Sequence, residues 1–112
     1  MNFEIKGTTA LVFKSSIEIP EFFNSFKLIY PQIKLCNIII FMTNSQSKDV
    51  VFLDRIKEIS EAHQRFKRSL VLVCSEAAPI THSDTLVFVP TLLEAHDLIE
   101  MDEMQRDLGF FK

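Results

Sequence analysis

The sequence predicts an α/β domain: a mixed, mainly parallel sheet of about five strands with an N-terminal β-hairpin, packed against three main helices that include a long C-terminal amphipathic helix. Three observations carry this. Two short strand-like segments near the amino end are separated by a glycine turn. Two nearly continuous apolar runs, NIIIFM and SLVLVC, have the character of strands buried on both faces. Segments with helical spacing of apolar residues precede, separate and follow them.

Residues 3–6 and 10–13 each read as a short strand, with Gly7, Thr8 and Thr9 as the turn of an antiparallel hairpin. A core-facing helix follows. Pro20 suits its first turn, where a missing N–H costs nothing, and Phe22, Phe23, Phe26, Ile29 and Tyr30 recur at helical spacing until Pro31, which is expected to end it. Residues 37–42 are the central strand. The polar connection TNSQSKD, residues 43–49, leads into an amphipathic helix over 50–68 whose face is Phe52, Ile56, Ile59, His63 and Phe66. Ser47 is placed to cap it, with Asp49 in the first turn where negative charge is favoured. Residues 69–74 form the next buried strand, 75–84 a loop with at most one helical turn, and 85–90 the last strand. This alternation implies right-handed crossovers.

The closing helix opens with Pro90 and the pattern Thr91-x-x-Glu94, a capping box, and Gly109 stands where a C-terminal cap would. Leu92, Ala95 and Ile99 share a face that should pack on the sheet. Continuing that stripe leads to Asp102, Glu103 and Arg106, whereas the apolar positions move to Leu98, Met101, Met104 and Leu108. About eighteen helical residues span about 27 Å, against about 17 Å for a five-residue strand, so the helix is expected to overhang its sheet. Its displaced face, with Phe110 and Phe111, is a candidate surface for a partner or for a second copy. The alternative is a helix that curves round the edge of its own domain.

One domain fits 112 residues, and 47% apolar with 24% charged residues is a globular composition. Two glycines leave no room for a glycine-rich phosphate loop. The net charge of −3 is concentrated at the end, where residues 91–112 hold six acids and two bases. A weakly acidic chain without a basic stripe is not expected to grip nucleic acid. Its one basic cluster, Arg65, Lys67 and Arg68, complements a helix C-terminus. The amino end lacks the apolar core of a signal peptide, and no stretch approaches the length needed to cross a bilayer, so no membrane and a cytoplasmic location are expected.

Cys36 and Cys74 are isolated and expected to be reduced. His63, His82 and His96 form no metal-binding spacing, so neither a metal nor a cofactor is expected. THSD, residues 81–84, brings Thr81, His82 and Asp84 together without a nucleophile elbow or oxyanion loop, and no catalytic residue is assigned. The loop 43–49 is the more informative polar segment. It joins the carboxyl end of the central strand to a helix N-terminus, where open α/β sheets receive ligands and phosphates. Ser45, Ser47, Lys48 and Asp49 are therefore candidates for phosphate acceptance or partner binding. A phosphate there would add up to about two negative charges. Simple capping accounts for Ser47 as well.

The element order resembles the STAS domain, the fold of bacterial anti-sigma-factor antagonists. The ending VPTLLEAHDLIEMDEMQRDLGF is similar to that of short bacterial STAS-like proteins, in which a valine-proline-threonine start, an EAxxxIxMxE core and an RDLGF finish recur. Pro90, Thr91, Glu94, Ala95, Ile99, Met101, Glu103 and residues 106–110 carry this likeness. The resemblance implies a non-catalytic signalling module that binds a regulatory protein, anti-sigma-factor or kinase-like, through the loop 43–49 and the helix after it; the displaced face of the last helix offers a homodimer as the alternative. In such antagonists a DSxG-type loop carries a serine phosphorylated by the partner kinase. The matching place is Ser47 to Val50, where Asp49 stands at the acid-or-serine position and no glycine follows. The short last crossover also leaves out one usual helix of the family. Short chains with this ending are in addition grouped with ribonuclease Z, whose two zinc ions need histidine and aspartate ligands that this sequence lacks. An accessory subunit of such an enzyme is the form that alternative takes, and a small-ligand carrier using the same loop is another.

Overall fold

A computed structural model of the chain describes residues 2–13, 19–42, 50–74, 82–83 and 86–107. In chain order the elements are β1 (Asn2–Lys6), β2 (Thr9–Phe13), α1 (Ile19–Ile33), β3 (Asn37–Phe41), α2 (Val50–Gln64), β4 (Leu70–Val73), β5 (His82–Ser83), β6 (Leu86–Val89) and α3 (Leu92–Asp107). The strands form one sheet in the order β1-β2-β3-β4-β6-β5. β2, β3, β4 and β6 are mutually parallel, while β1 and the two-residue β5 pair antiparallel at opposite edges. The fold is the expected α/β one: a mainly parallel sheet with five principal strands, an opening hairpin and three helices.

Lys6 pairs with Thr9, so the hairpin turn is only Gly7 and Thr8, and Thr9 already belongs to β2. Gly7 has φ +60°, which the first residue of a tight hairpin turn requires and glycine adopts without cost. Strand alternation then divides the core in two. Even-numbered residues of the parallel strands, among them Ala10, Val12, Ile38, Ile40, Leu72 and Phe88, face Phe22, Phe26 and Ile33 of α1 and Phe52 and Ile56 of α2. Odd-numbered residues, among them Leu11, Ile39, Val71, Val73 and Val89, face Ala95 and Ile99 of α3. The steps β2 to β3 and β3 to β4 go the same way across the sheet, so two crossovers of one hand put α1 and α2 side by side on one face.

Four expectations are corrected. Pro31 does not end α1, which continues to Ile33. A proline in the last turn removes one amide donor, and full burial of Ile33 outweighs that loss. α2 stops at Gln64 rather than Arg68. Its exit tightens through Arg65 N–H to Ala62 O, Phe66 N–H to His63 O and Lys67 N–H to Gln64 O, and Lys67 at φ 57° turns the chain away. Within the expected loop 75–84, His82 and Ser83 add an edge strand to β6.

Finally, α3 at 16 residues is hardly longer than α1 and α2 at 15, and it has no single continuous apolar face. The polar continuation of its stripe does not hang free. The Ser69 hydroxyl, at the entrance to β4, donates to Asp102 at 2.7 Å, and Arg68 lies 4.0 Å from Glu103. The expected cap Gly109 lies outside the described residues.

Candidate functional site

The site begins with the width of two apolar arcs. On α1, Phe22, Phe26, Ile29 and Ile33 turn to the sheet, and Phe23 and Tyr30, each adjacent to one of these, widen the arc by about 100°. On α2, Phe52, Ile56 and His63 turn inward with Ile59 partly buried at the edge of the same stripe, and Ala62 stands on the flank beyond it. Because the two helices lie side by side, the widened flanks meet. Phe23, Phe26, Lys27, Tyr30 and Pro31 of α1 face Ile59 and Ala62 of α2 and Phe66 of the following turn across a groove of about 280 Å³. It continues into a smaller recess of about 150 Å³ bordered by Lys27, Arg55 and Glu58.

The floor of the groove is fixed from below. His63 is fully buried, with Nε2 at 2.7 Å from the Cys36 carbonyl oxygen and Nδ1 at 2.7 Å from the Tyr30 hydroxyl. A carbonyl can only accept, so Nε2 carries the proton, and the tautomer that leaves Nδ1 bare accepts from the Tyr30 hydroxyl. Burial raises the Tyr30 pKa above its ordinary value of 10.0, because the phenolate would be poorly solvated there. The rim is charged. Lys27, Arg55 and Glu58 are exposed, and the Arg55 guanidinium lies 5.0 Å from the centre of the Phe23 ring. An apolar trough with fixed walls and rim charges suits an amphipathic helix or peptide laid along it.

The residues singled out from sequence are not gathered into one place. Ser45, Ser47, Lys48 and Asp49 lie outside the described residues, as do Thr81, Asp84, Leu108, Phe110 and Phe111. Leu98 packs into the second core with Ile39, Val71 and Val89. Met101 and Met104 face outward at 55% and 61% exposure, joined on α3 by Leu93 at 72%. β3 does not stand at a reversal of strand order, since α1 and α2 cover the same face. The crevice that such a reversal creates in doubly wound sheets is therefore not formed between β2, β3 and β4.

The groove is not legible in the sequence, because Phe23, Tyr30, Ile59 and Phe66 read there as parts of buried faces. The available signal was the adjacent apolar pairs Phe22-Phe23 and Ile29-Tyr30, which are too wide for one helix-to-sheet contact. Among the described residues no three His, Cys, Asp or Glu side chains come together as a metal site, and no helix is long and apolar enough to cross a membrane. Comparison with protein-family models, curated proteins and solved structures finds no match.

Proposed function

We propose that this chain is a non-catalytic, STAS-like interaction module that binds a regulatory protein through the flank of α2, in a cytoplasmic setting. The observation that carries the reading is the apolar groove between α1 and α2, bordered by the helix that follows the loop 43–49. The element order of hairpin, helix, strand, helix, three strands (the middle one only two residues long) and helix supports the family likeness. On this reading an amphipathic segment of the partner lies in the groove over Phe26, Ile59 and Phe66, and the loop serines 45 and 47 modulate docking beside the start of α2. Binding of this kind draws its energy from a few buried apolar anchors, with the charged rim selecting the partner.

Ala62 is exposed on the groove wall, so Ala62→Arg should block docking without disturbing the core. Capture from a lysate of the source organism with the wild type and with this variant, at equal thermal stability, is the test. A protein retained by the wild type and lost with Ala62→Arg supports the reading. The same set of proteins retained by both would remove the groove from the interaction.

A further inference from the structure

We infer that the groove between α1 and α2 is also the receptor for α3 of a second copy, so that the chain associates head to tail. The inference rests on the groove being a binding surface but not on a regulatory partner. α3 presents two unlike faces. Ala95 and Ile99 are buried against the sheet, whereas Leu93, Met101 and Met104 face away from it in one arc with Asp97 and Glu100. Residues 92–105 carry five acids, Glu94, Asp97, Glu100, Asp102 and Glu103, and no lysine or arginine. Asp102 and Glu103 already face Ser69 and Arg68. Glu94, Asp97 and Glu100 are exposed, and they give the outward face its sign.

The groove has the opposite sign. Lys27 and Arg55 border it with the acid Glu58, and of the exposed sequence neighbours of its lining residues Arg65 and Lys67 flank Phe66 while Glu61 flanks Ala62, so the cations outnumber the acids four to two. An acidic helix with methionine anchors three residues apart matches an apolar trough with a basic rim, and methionine adapts to such a trough. Met101 and Met104 would enter the groove, with Asp97 and Glu100 beside Lys27 and Arg55. The two surfaces lie on opposite faces of the sheet, because α1 and α2 cover the even-numbered residues and α3 the odd-numbered ones. One copy therefore cannot fill its own groove with its own α3. The contact is heterologous, each copy offering one groove and one helix, and it can propagate beyond a dimer.

The test uses variants that each disable one surface. Ala62→Glu, or separately Lys27→Glu with Arg55→Glu, disables the groove, and Met101→Glu with Met104→Glu disables α3. Sedimentation velocity at low salt should show the wild-type mass rising with concentration past that of a dimer, and falling back as salt screens the rim charges. Each variant alone should be monomeric. An equimolar mixture of a groove variant and the α3 variant should give a dimer and nothing larger, because one intact groove meets one intact helix. Asp97→Lys with Glu100→Lys should restore pairing to the copy carrying Lys27→Glu and Arg55→Glu.

A wild type that stays monomeric across the concentration range overturns the inference. So does an association that survives in the groove variants, as a symmetric α3-to-α3 dimer would require, or a mixture that stays monomeric. If Ala62→Arg loses a captured protein while the wild type is monomeric, the regulatory reading stands and this one falls.

Discussion

Asn37 is fully buried at the start of β3, where its side-chain oxygen accepts from the Ser69 amide at 2.9 Å and its amide group reaches the Thr8 carbonyl at 3.4 Å. With the main-chain bonds Asn37 N–H to Thr8 O and Ile38 N–H to Ser69 O, it holds the amino ends of β2, β3 and β4 in register. Asn37→Leu keeps the volume but removes the acceptor from a part-buried amide, which costs about 1–3 kcal/mol. Chemical denaturation should report that loss; an unchanged midpoint would mean that the register is set by the strands alone. Tyr30 gives a prediction with a pH signature. Its hydroxyl donates to His63, so Tyr30→Phe should cost about 1–2 kcal/mol near neutral pH. The folded pKa lies above the ordinary 10.0, so the neutral phenol's contribution is fully present below that pH. Above it the unfolded chain releases a proton that the folded chain still holds, and stability falls until the folded value is passed. Tyr30→Phe should lack this component of the alkaline decline. As the only tyrosine, Tyr30 can be followed directly by tyrosinate absorbance.

α3 depends on contacts at both ends. At its start the Thr91 side-chain oxygen accepts from Glu94 N–H at 3.2 Å, while the Thr91 hydroxyl points at Glu94 Oε1 at 3.3 Å. This is half of a capping box with the glutamate turned to the hydroxyl. Thr91→Ala should lower stability by about 1 kcal/mol and Thr91→Ser should restore most of it, as read from thermal midpoints. Equal melting of all three would leave the cap without weight. This cap was legible because its signal is local, and so were β3 and β4, whose uninterrupted apolar runs admit few other readings. Signals that depend on distant residues were not legible. Pro31 looks like a terminator until the burial of Ile33 is known. Phe66 looks like a helical core residue until α2 is seen to end at Gln64, which leaves its ring 43% exposed on the groove. His82 and Ser83 form a strand only because β6 offers them a free edge. The groove belongs to this second kind, since it exists only where two helices from separate crossovers are brought together.

Across the molecule, β3 is the strand that lies between the two cores. Ile38, Ile39 and Ile40 are all fully buried, Ile38 and Ile40 under α1 and α2 and Ile39 under the α3 face. That division could not be read from NIIIF itself, because a strand buried on both faces has no polar residues to mark its sides. It follows from the strand order, which places two crossover helices on one face. β1 is the opposite case. It pairs only with β2, its Ile5 is 48% exposed, and its Glu4 and Lys6 are both exposed. Native-state hydrogen exchange should therefore separate the two strands. Amides of β3 should open only with global unfolding, and those of β1 through a smaller local opening. Ile39→Ala leaves a cavity in a strand interior and should lower the opening free energy of β3 by about 2–5 kcal/mol. The local opening of β1 should not change, since Glu4 and Lys6, not a buried contact, occupy its side of the α3 face. If β1 amides lose as much protection as β3 amides, the hairpin belongs to the same cooperative unit as the parallel core, and the edge is held by more than its one neighbour.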